Sequence, residues 1–386
     1  METKSKKNIL MLCLLYFVSF ISFALPFGYM QTFLVYVGYD VVERGIILSG
    51  TAVVAIVVQF FAGYLCDKYK TDKKFYNLFV VLFVLTTLVM YQVTDKNFFL
   101  HLLFVSLVGG IFRSVGALQD AWCLETDDHC KRNYGPIRAF GAIGWMLGSP
   151  LGAWVIAQYG YPSLGIVFAG LSILNVGITF FMQDAIKPEQ KAGGITFTDL
   201  KRLMKDKQYI IVVLIFLVIN IIATADMYTM VDKMMALGAD ETLVGARWSI
   251  QAFTELPLFF AGGYLLKKFG DYRLMVFGTI MYMVRFLLYA FVQTPEMLIV
   301  VALLQCVTYP LIMITSKTLV DNTTPNDLRA SGQTIASAIY IGVSLLITPL
   351  LSGLLVNAFG LDITLALFGL SGVFALLLSV IYKKMI

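Results

Sequence analysis

Twelve apolar runs, each long enough to cross a bilayer as a helix, dominate the sequence. A helix needs about 20 residues to span roughly 30 Å of hydrocarbon. Such runs fall at approximately 9–37, 45–66, 75–93, 98–124, 137–158 and 163–182, and again at 209–237, 244–266, 273–293, 297–316, 330–356 and 362–382. Their length, without the short alternating segments of a membrane barrel, predicts helices. Hydrophobic residues make up 59% of the chain and charged residues 14%, where about 45–50% and 25% are usual in soluble domains. A soluble fold cannot hide that much apolar surface. The same composition excludes a disordered chain, a nucleic-acid binder and a disulfide-stapled secreted domain. An all-α integral membrane protein is the class that remains.

The first run follows Lys4, Lys6 and Lys7 and is too long for a signal-peptide core, so it reads as a retained first span. Connections are short except for 183–208, which is charged and contains Pro188 and Gly193-Gly194. Within it Phe197, Leu200, Leu203 and Met204 alternate with Lys201, Arg202 and Lys205 at helical spacing, predicting an amphipathic helix on the membrane face. The expected organisation is a bundle over 1–182, a cytoplasmic linker over 183–208 and a bundle over 209–386. Placing the tail and alternate loops on one side gathers most of the 29 lysines and arginines there. By the positive-inside rule both termini are expected in the cytoplasm. Arg44, Lys96, Lys233 and Arg247 fall to the opposite loops. The halves also repeat. Phe60-Phe61-Ala62-Gly63-Tyr64-Leu65 is matched by Phe259-Phe260-Ala261-Gly262-Gly263-Tyr264-Leu265, and Arg138-Ala139-Phe140-Gly141 by Arg329-Ala330-Ser331-Gly332. A period near 195 residues with six spans per unit is the parallel repeat of a transporter.

Gly63-Tyr64-Leu65-Cys66-Asp67-Lys68, followed by Lys73-Lys74, resembles the loop motif between spans two and three of the major facilitator superfamily. That resemblance implies twelve transmembrane helices in two six-helix repeats, the major facilitator fold. It also implies a gating role for Asp67, Lys68 and Lys73, charges at helix ends that latch one gate state. The run from Gly45 through Gln59 to Lys68, the string Tyr134-Gly135-Pro136-Ile137-Arg138-Ala139-Phe140-Gly141-Ala142-Ile143-Gly144-Trp145, Glu255-Leu256-Pro257, and Arg285 after Gly278-Thr279-Ile280-Met281 are similar to the oligosaccharide:proton symporter (lactose permease-like) group. The resemblance implies that Asp120 and Arg138 hold sugar hydroxyls, that Trp145 stacks on the sugar ring, and that Glu255 binds substrate and senses protonation. A carboxylate that accepts, a guanidinium that donates and an aromatic face suit a pyranose. Arg138 and Trp145, seven apart, share a helix face, and Gly144, Gly148 and Gly152 form a stripe for close helix packing. The sequence departs from the group on span ten, where Gln305 stands for its histidine, Thr308 for its glutamate and Ala302 for its lysine. The lysine of span eleven is missing too, near Val343.

Charges inside spans cost at least about 2.5–3.5 kcal/mol at the helix centre and mark functional sites by default. Here they are Arg113, Asp120, Asp226, Glu255 and Arg285. Thr308 cannot carry a coupling proton, so the expected coupling group is Asp226 or Glu255 facing Arg285. Arg113, in Phe112-Arg113-Ser114-Val115-Gly116, is one residue off a span-four arginine motif of proton-driven drug exporters; it and Gln305 are possible cavity residues. The function expected is proton-coupled uptake of a sugar or similar polar solute by alternating access in the cell (inner or plasma) membrane. The alternative is a drug:proton antiporter, with a facilitator and a non-transport protein behind it. The expected partners are a small-molecule substrate, protons and the lipid bilayer, with the chain a monomer and no nucleic acid. No cofactor is expected beyond the proton gradient. Five scattered cysteines and two distant histidines form no metal or disulfide pattern. No HExxH, GxSxG or Walker lysine loop suggests an enzyme.

Overall fold

The computed structural model describes residues 2–185, 201–325 and 328–385, and every regular element among them is helical. In chain order these are α1 (Glu2–Gly28), α2 (Met30–Tyr36), α3 (Val41–Tyr69), α4 (Lys73–Gln92), α5 (Phe98–Thr126), α6 (Asp128–Arg132), α7 (Tyr134–Tyr159) and α8 (Pro162–Phe180). They continue as α9 (Lys207–Ala236), α10 (Glu241–Phe269), α11 (Asp271–Phe291), α12 (Pro295–Ala302), α13 (Tyr309–Thr323), α14 (Arg329–Ser337), α15 (Ser344–Phe359) and α16 (Leu361–Lys383). A 3₁₀ turn over Leu303–Val307 joins α12 to α13, and a π-helical turn over Ala338–Val343 joins α14 to α15. These elements coincide with the twelve runs expected to be helical.

Eleven segments among the described residues are long and apolar enough to cross a membrane, with α1–α2, α12–α13 and α14–α15 each counting once. The remaining span, expected at 244–266, is α10. Its 29 residues rise about 43 Å, ample for a bilayer, but Arg247, Gln251 and Glu255 within it lower its apolar character. Arg247 and Gln251 are buried in protein rather than offered to lipid.

The chain divides into two compact units. One comprises Met1–Glu189 with Gly238–Leu256, the other Gln190–Leu237 with Pro257–Ile386. The expected division at the linker is therefore crossed by the first half of α10. That segment packs on the first unit through specific contacts. Ser249 donates to the Met146 carbonyl at 2.7 Å, Tyr161 donates to Glu241 at 2.9 Å, and a Cβ at Gly245 would meet the Tyr29 hydroxyl at 2.4 Å. In the first unit α1 runs along α7 and α3 along α5. The glycine stripe explains the first of these pairings: a Cβ at Gly144 would lie 2.4 Å from the Phe17 carbonyl, and one at Gly148 2.4 Å from that of Ile21. The α1 backbone thus sits where side chains would otherwise be. In the second unit α16 packs on both α9 and α11.

The repeat is written in the turns. Gly38 and Gly238 both take positive φ (+91° and +86°), as do Gly160 and Gly360 (+77° and +79°) and Lys70 and Gly270 (+54° and +79°). Asp40 accepts from the Val42 and Glu43 amides, and Asp240 from the Leu243 amide. All of these pairs stand 200 residues apart, against the period near 195 expected from the short strings.

Three charges expected in outer loops are instead buried: Arg44, Lys233 and Arg247 are 7%, 1% and 0% exposed. Lys233 Nζ reaches Asp362 Oδ1 at 2.8 Å and donates to the carbonyls of Tyr289 and Ala290, closing the end of α11. Long stems let such residues bury while their heads find partners. Lys96 stays accessible and pairs with Glu43 at 2.7 Å. Of the expected amphipathic linker helix, Phe197 and Leu200 lie outside the described residues; Leu203 is buried and Met204 exposed.

Candidate functional site

The first unit assembles a polar pair against an aromatic wall. Asp120, near the end of α5, accepts a 2.6 Å hydrogen bond from the Tyr16 hydroxyl on α1. Arg138 on α7 brings Nε to 3.7 Å from the same carboxylate oxygen. Its guanidinium lies 4.3 Å from the Phe20 ring centroid and 5.7 Å from that of Tyr16. The expected Asp120–Arg138 neighbourhood is thus present, and both side chains keep more than a third of their surface exposed. A pair this open offers acceptors and donors to a polyhydroxylated ligand without first being broken. Behind it, the Gln119 amide donates to Ser19 Oγ at 2.9 Å, tying α5 to α1.

Trp145 stands two turns along α7 from Arg138, among rings. Its centroid lies 6.4 Å from Phe20, 6.2 Å from Phe27, 6.1 Å from Phe112 and 6.4 Å from Trp248 of α10. Phe27 and Phe112 stack at 4.1 Å. Arg113 joins this group with its guanidinium 5.5 Å from the Phe27 centroid. Tyr16, Phe20 and Phe27 were not singled out from sequence. Nothing separates them there from the many other aromatics of apolar runs; only the pairing of α1 with α5 and α7 brings them in.

The second unit contains one dense polar cluster. Arg285 of α11 is fully buried. It reaches Asp226 Oδ2 of α9 at 3.1 Å, donates from Nη1 to Gln305 Oε1 and, at 3.1 Å, to Thr308 Oγ, and donates from Nε to the Tyr289 hydroxyl at 2.9 Å. Gln305 and Thr308 come from the break between α12 and α13. There Thr308 leaves helical geometry (φ −109°, ψ −86°) and Pro310 restarts the helix without a donor amide. Two of the departures noted on span ten, Gln305 and Thr308, are therefore neutral acceptors for Arg285, and Asp226 supplies its carboxylate partner. Glu255, the other acid expected to face Arg285, falls in the first unit and is half-buried.

The three residues expected to gate occupy different surroundings. Lys68 lies beside the Tyr64 and Tyr69 rings, 5.7 and 5.5 Å from their centroids. Lys73 donates from Nζ to the Met182 carbonyl at 3.0 Å. The residue that organises this loop is Asp184, overlooked in the sequence. Its carboxylate accepts from the Thr71 hydroxyl at 2.5 Å and from the Asp72 and Lys73 amides at 3.0 Å each, capping α4 from the segment just after α8. Asp67, near the end of α3, is half-buried.

A sequence profile of the MFS_1 like family matches residues 9–367. The chain is 22% identical over 344 residues to the putative nucleoside transporter YegT of Escherichia coli (strain K12), covering 83% of this chain and 78% of that protein. It is 24% identical over 369 residues to the uncharacterized MFS-type transporter MJ1317 of Methanocaldococcus jannaschii, covering 92% and 89%. Its fold is similar to the crystal structure of nucleoside transporter NupG, with a TM-score of 0.79 over 98% of each chain at 17% identity. A mutant of NupG superposes with a TM-score of 0.81.

Proposed function

Since the chain belongs to the MFS_1 like family and is a secondary transporter of the major facilitator type, we propose that its solute is a nucleoside, taken up with protons by alternating access. The observation that carries this reading is the Tyr16–Asp120–Arg138 group set beside the rings of Phe20, Trp145, Phe27 and Phe112. A ribose presents vicinal hydroxyls that donate to Asp120 and accept from Arg138. A base presents a flat face to the rings, and base–aromatic stacking contributes about 1–3 kcal/mol. A free sugar uses the same polar pair and leaves most of the aromatic wall unused. The similarity to YegT, named a putative nucleoside transporter, supports the same preference, and the fold is that of the nucleoside transporter NupG. A cationic drug finds less here, because Asp120 already has Arg138 beside it.

Proton coupling is assigned to the second unit. Asp226 balances Arg285, while Gln305, Thr308 and Tyr289 are neutral. Protonating the one carboxylate changes the charge of the cluster by a full unit, which makes it a lever on the broken span. The distribution of lysine and arginine assigns both termini to the cytoplasm, and we take the chain to act as a monomer in the cell membrane.

Liposomes containing the purified chain test the whole reading. An inward proton gradient is expected to drive accumulation of a labelled nucleoside, and Asp120→Asn or Arg138→Gln to abolish it. Accumulation of a disaccharide in preference to any nucleoside would replace nucleoside with sugar. Dye moving against the proton flow would favour the antiporter.

A further inference from the structure

Arg113 lies mid-span on α5, where a charge is costly, and its hydrogen bonding is incomplete. Nε and Nη2 are both buried, and among the described residues neither meets an acceptor. These two nitrogens share one edge of the guanidinium and project parallel N–H bonds, the fork that binds two coplanar acceptors. The guanidinium lies 5.5 Å from the centroid of Phe27, which stacks on Phe112 next to Trp145, the rings assigned above to the base. Asp120, assigned to the ribose, is seven residues further along the helix, about 10 Å.

We infer that Arg113 reads the base, and that the preferred solutes are 6-oxopurine nucleosides such as inosine and guanosine. The inference rests on the nucleoside reading and deepens it. A fork needs two adjacent acceptors. The O6/N7 edge of a 6-oxopurine supplies them, and arginine pairs with that edge in a bidentate way. Adenine sets an amino donor beside N7, so one N–H of the fork would face another donor. Uracil has no two adjacent acceptors. Cytosine has them at O2 and N3, but O2 adjoins the glycosidic bond, whereas O6 and N7 face away from a ribose held near Asp120. A buried donor left unpaired is destabilising. A ligand that fills both positions removes that penalty, and one that fills neither keeps it. Because the Phe27 ring lies over the guanidinium, the base reaches this edge as that ring gives way.

The test is equilibrium binding to the purified full chain in detergent, by competition against labelled inosine. Inosine and guanosine are expected to bind about 10- to 100-fold more tightly than adenosine. 7-Deazaguanosine, which lacks only N7, is expected to lose most of that advantage. Arg113→Gln and Arg113→Lys should bring all nucleosides to within a few fold of one another, and the lysine variant retains the charge should the glutamine variant fail to fold. Equal binding of inosine, cytidine and adenosine to the wild type would overturn the inference and leave the nucleoside reading intact. So would a preference that survives both substitutions. Tighter binding of a sugar acid such as glucuronate than of any nucleoside would assign the fork to a carboxylate and overturn both.

Discussion

Asp226 Oδ2 lies 3.1 Å from Arg285 Nη2, with the arginine side chain fully buried and the aspartate 8% exposed. The guanidinium's hydrogen bonds to Tyr289, Gln305 and Thr308 go to uncharged groups, and Asp226 is its charge partner within the second unit. Removing one member of a buried pair leaves an uncompensated charge and costs about 3–5 kcal/mol. Asp226→Asn is expected to lower the thermal unfolding midpoint in detergent and to abolish uphill uptake in liposomes. Asp226→Leu combined with Arg285→Met should recover most of the stability and none of the coupling. Undiminished uphill uptake in both Asp226→Asn and Glu255→Gln would reject the coupling role.

Gly148 and Gly170 separate packing from helix propensity. A Cβ at Gly148 meets the Ile21 carbonyl and Cα at 2.4 and 2.8 Å, both backbone atoms, while one at Gly170 meets nothing within 4 Å. Gly148→Ala forces α1 and α7 apart and should cost at least about 1–3 kcal/mol, as overpacking does. Gly170→Ala should be neutral or stabilising by up to about 1 kcal/mol. Comparable losses of thermal stability in the two variants would count against close backbone packing as the role of the stripe.

Lys70 adopts the left-handed conformation (φ +54°) that glycine occupies at the equivalent Gly270. That conformation costs an L-residue roughly 1–2 kcal/mol. Lys70→Gly should therefore stabilise by up to about 1 kcal/mol after allowing for the added freedom of the unfolded chain. Gly270→Ala should destabilise by a similar amount. Thermal denaturation of the two variants reads the sign directly.

Asp184 holds the start of α4 through the Thr71 hydroxyl and two backbone amides. Asp184→Ala removes a charged cap and should cost about 1–2 kcal/mol. The loss should be local, with faster amide hydrogen exchange over residues 71–76 and little change in the second unit. Uniform acceleration across both units would refute a local cap.

Asp127, between α5 and α6, gives a pH-dependent case. Burial pushes its carboxyl upward, but hydrogen bonds from the Asn8 amide and the Cys130 N–H outweigh that and hold it below the usual carboxylate range. A depressed folded-state value means the stabilisation is complete above the unfolded pKa of about 3.9 and is lost as pH falls through the folded value. Asn8→Leu should destabilise by about 1–2 kcal/mol near pH 7. The deficit should shrink in melts recorded at progressively lower pH, below about 4. A deficit that stays constant down that series would disconnect Asn8 from the ionised form.

The apolar runs determined the helices, since hydrocarbon allows no other way to satisfy twelve stretches of backbone at this length. Paired strings such as Arg138-Ala139-Phe140-Gly141 and Arg329-Ala330-Ser331-Gly332 carried the repeat, because each half faces the same packing problem. Intramembrane charges were legible for the same solvation reason: Asp120, Asp226 and Arg285 stand out within largely apolar runs. Their partners were not. Tyr16 reaches Asp120 across 104 residues of sequence and Asp184 reaches Asp72 across 112. A tyrosine or aspartate carries no mark of the distant group that it will meet. Lys233 and Arg247 misled for a related reason. Their charge is local information and suggests a loop, whereas the carbonyls that accept from Lys233 belong to α11, 56 and 57 residues away. What the sequence by itself determined is what lipid demands of each segment separately. Which side chains share a site was decided by tertiary structure, because hydrogen bonds and ring contacts depend on distances that only helix packing sets.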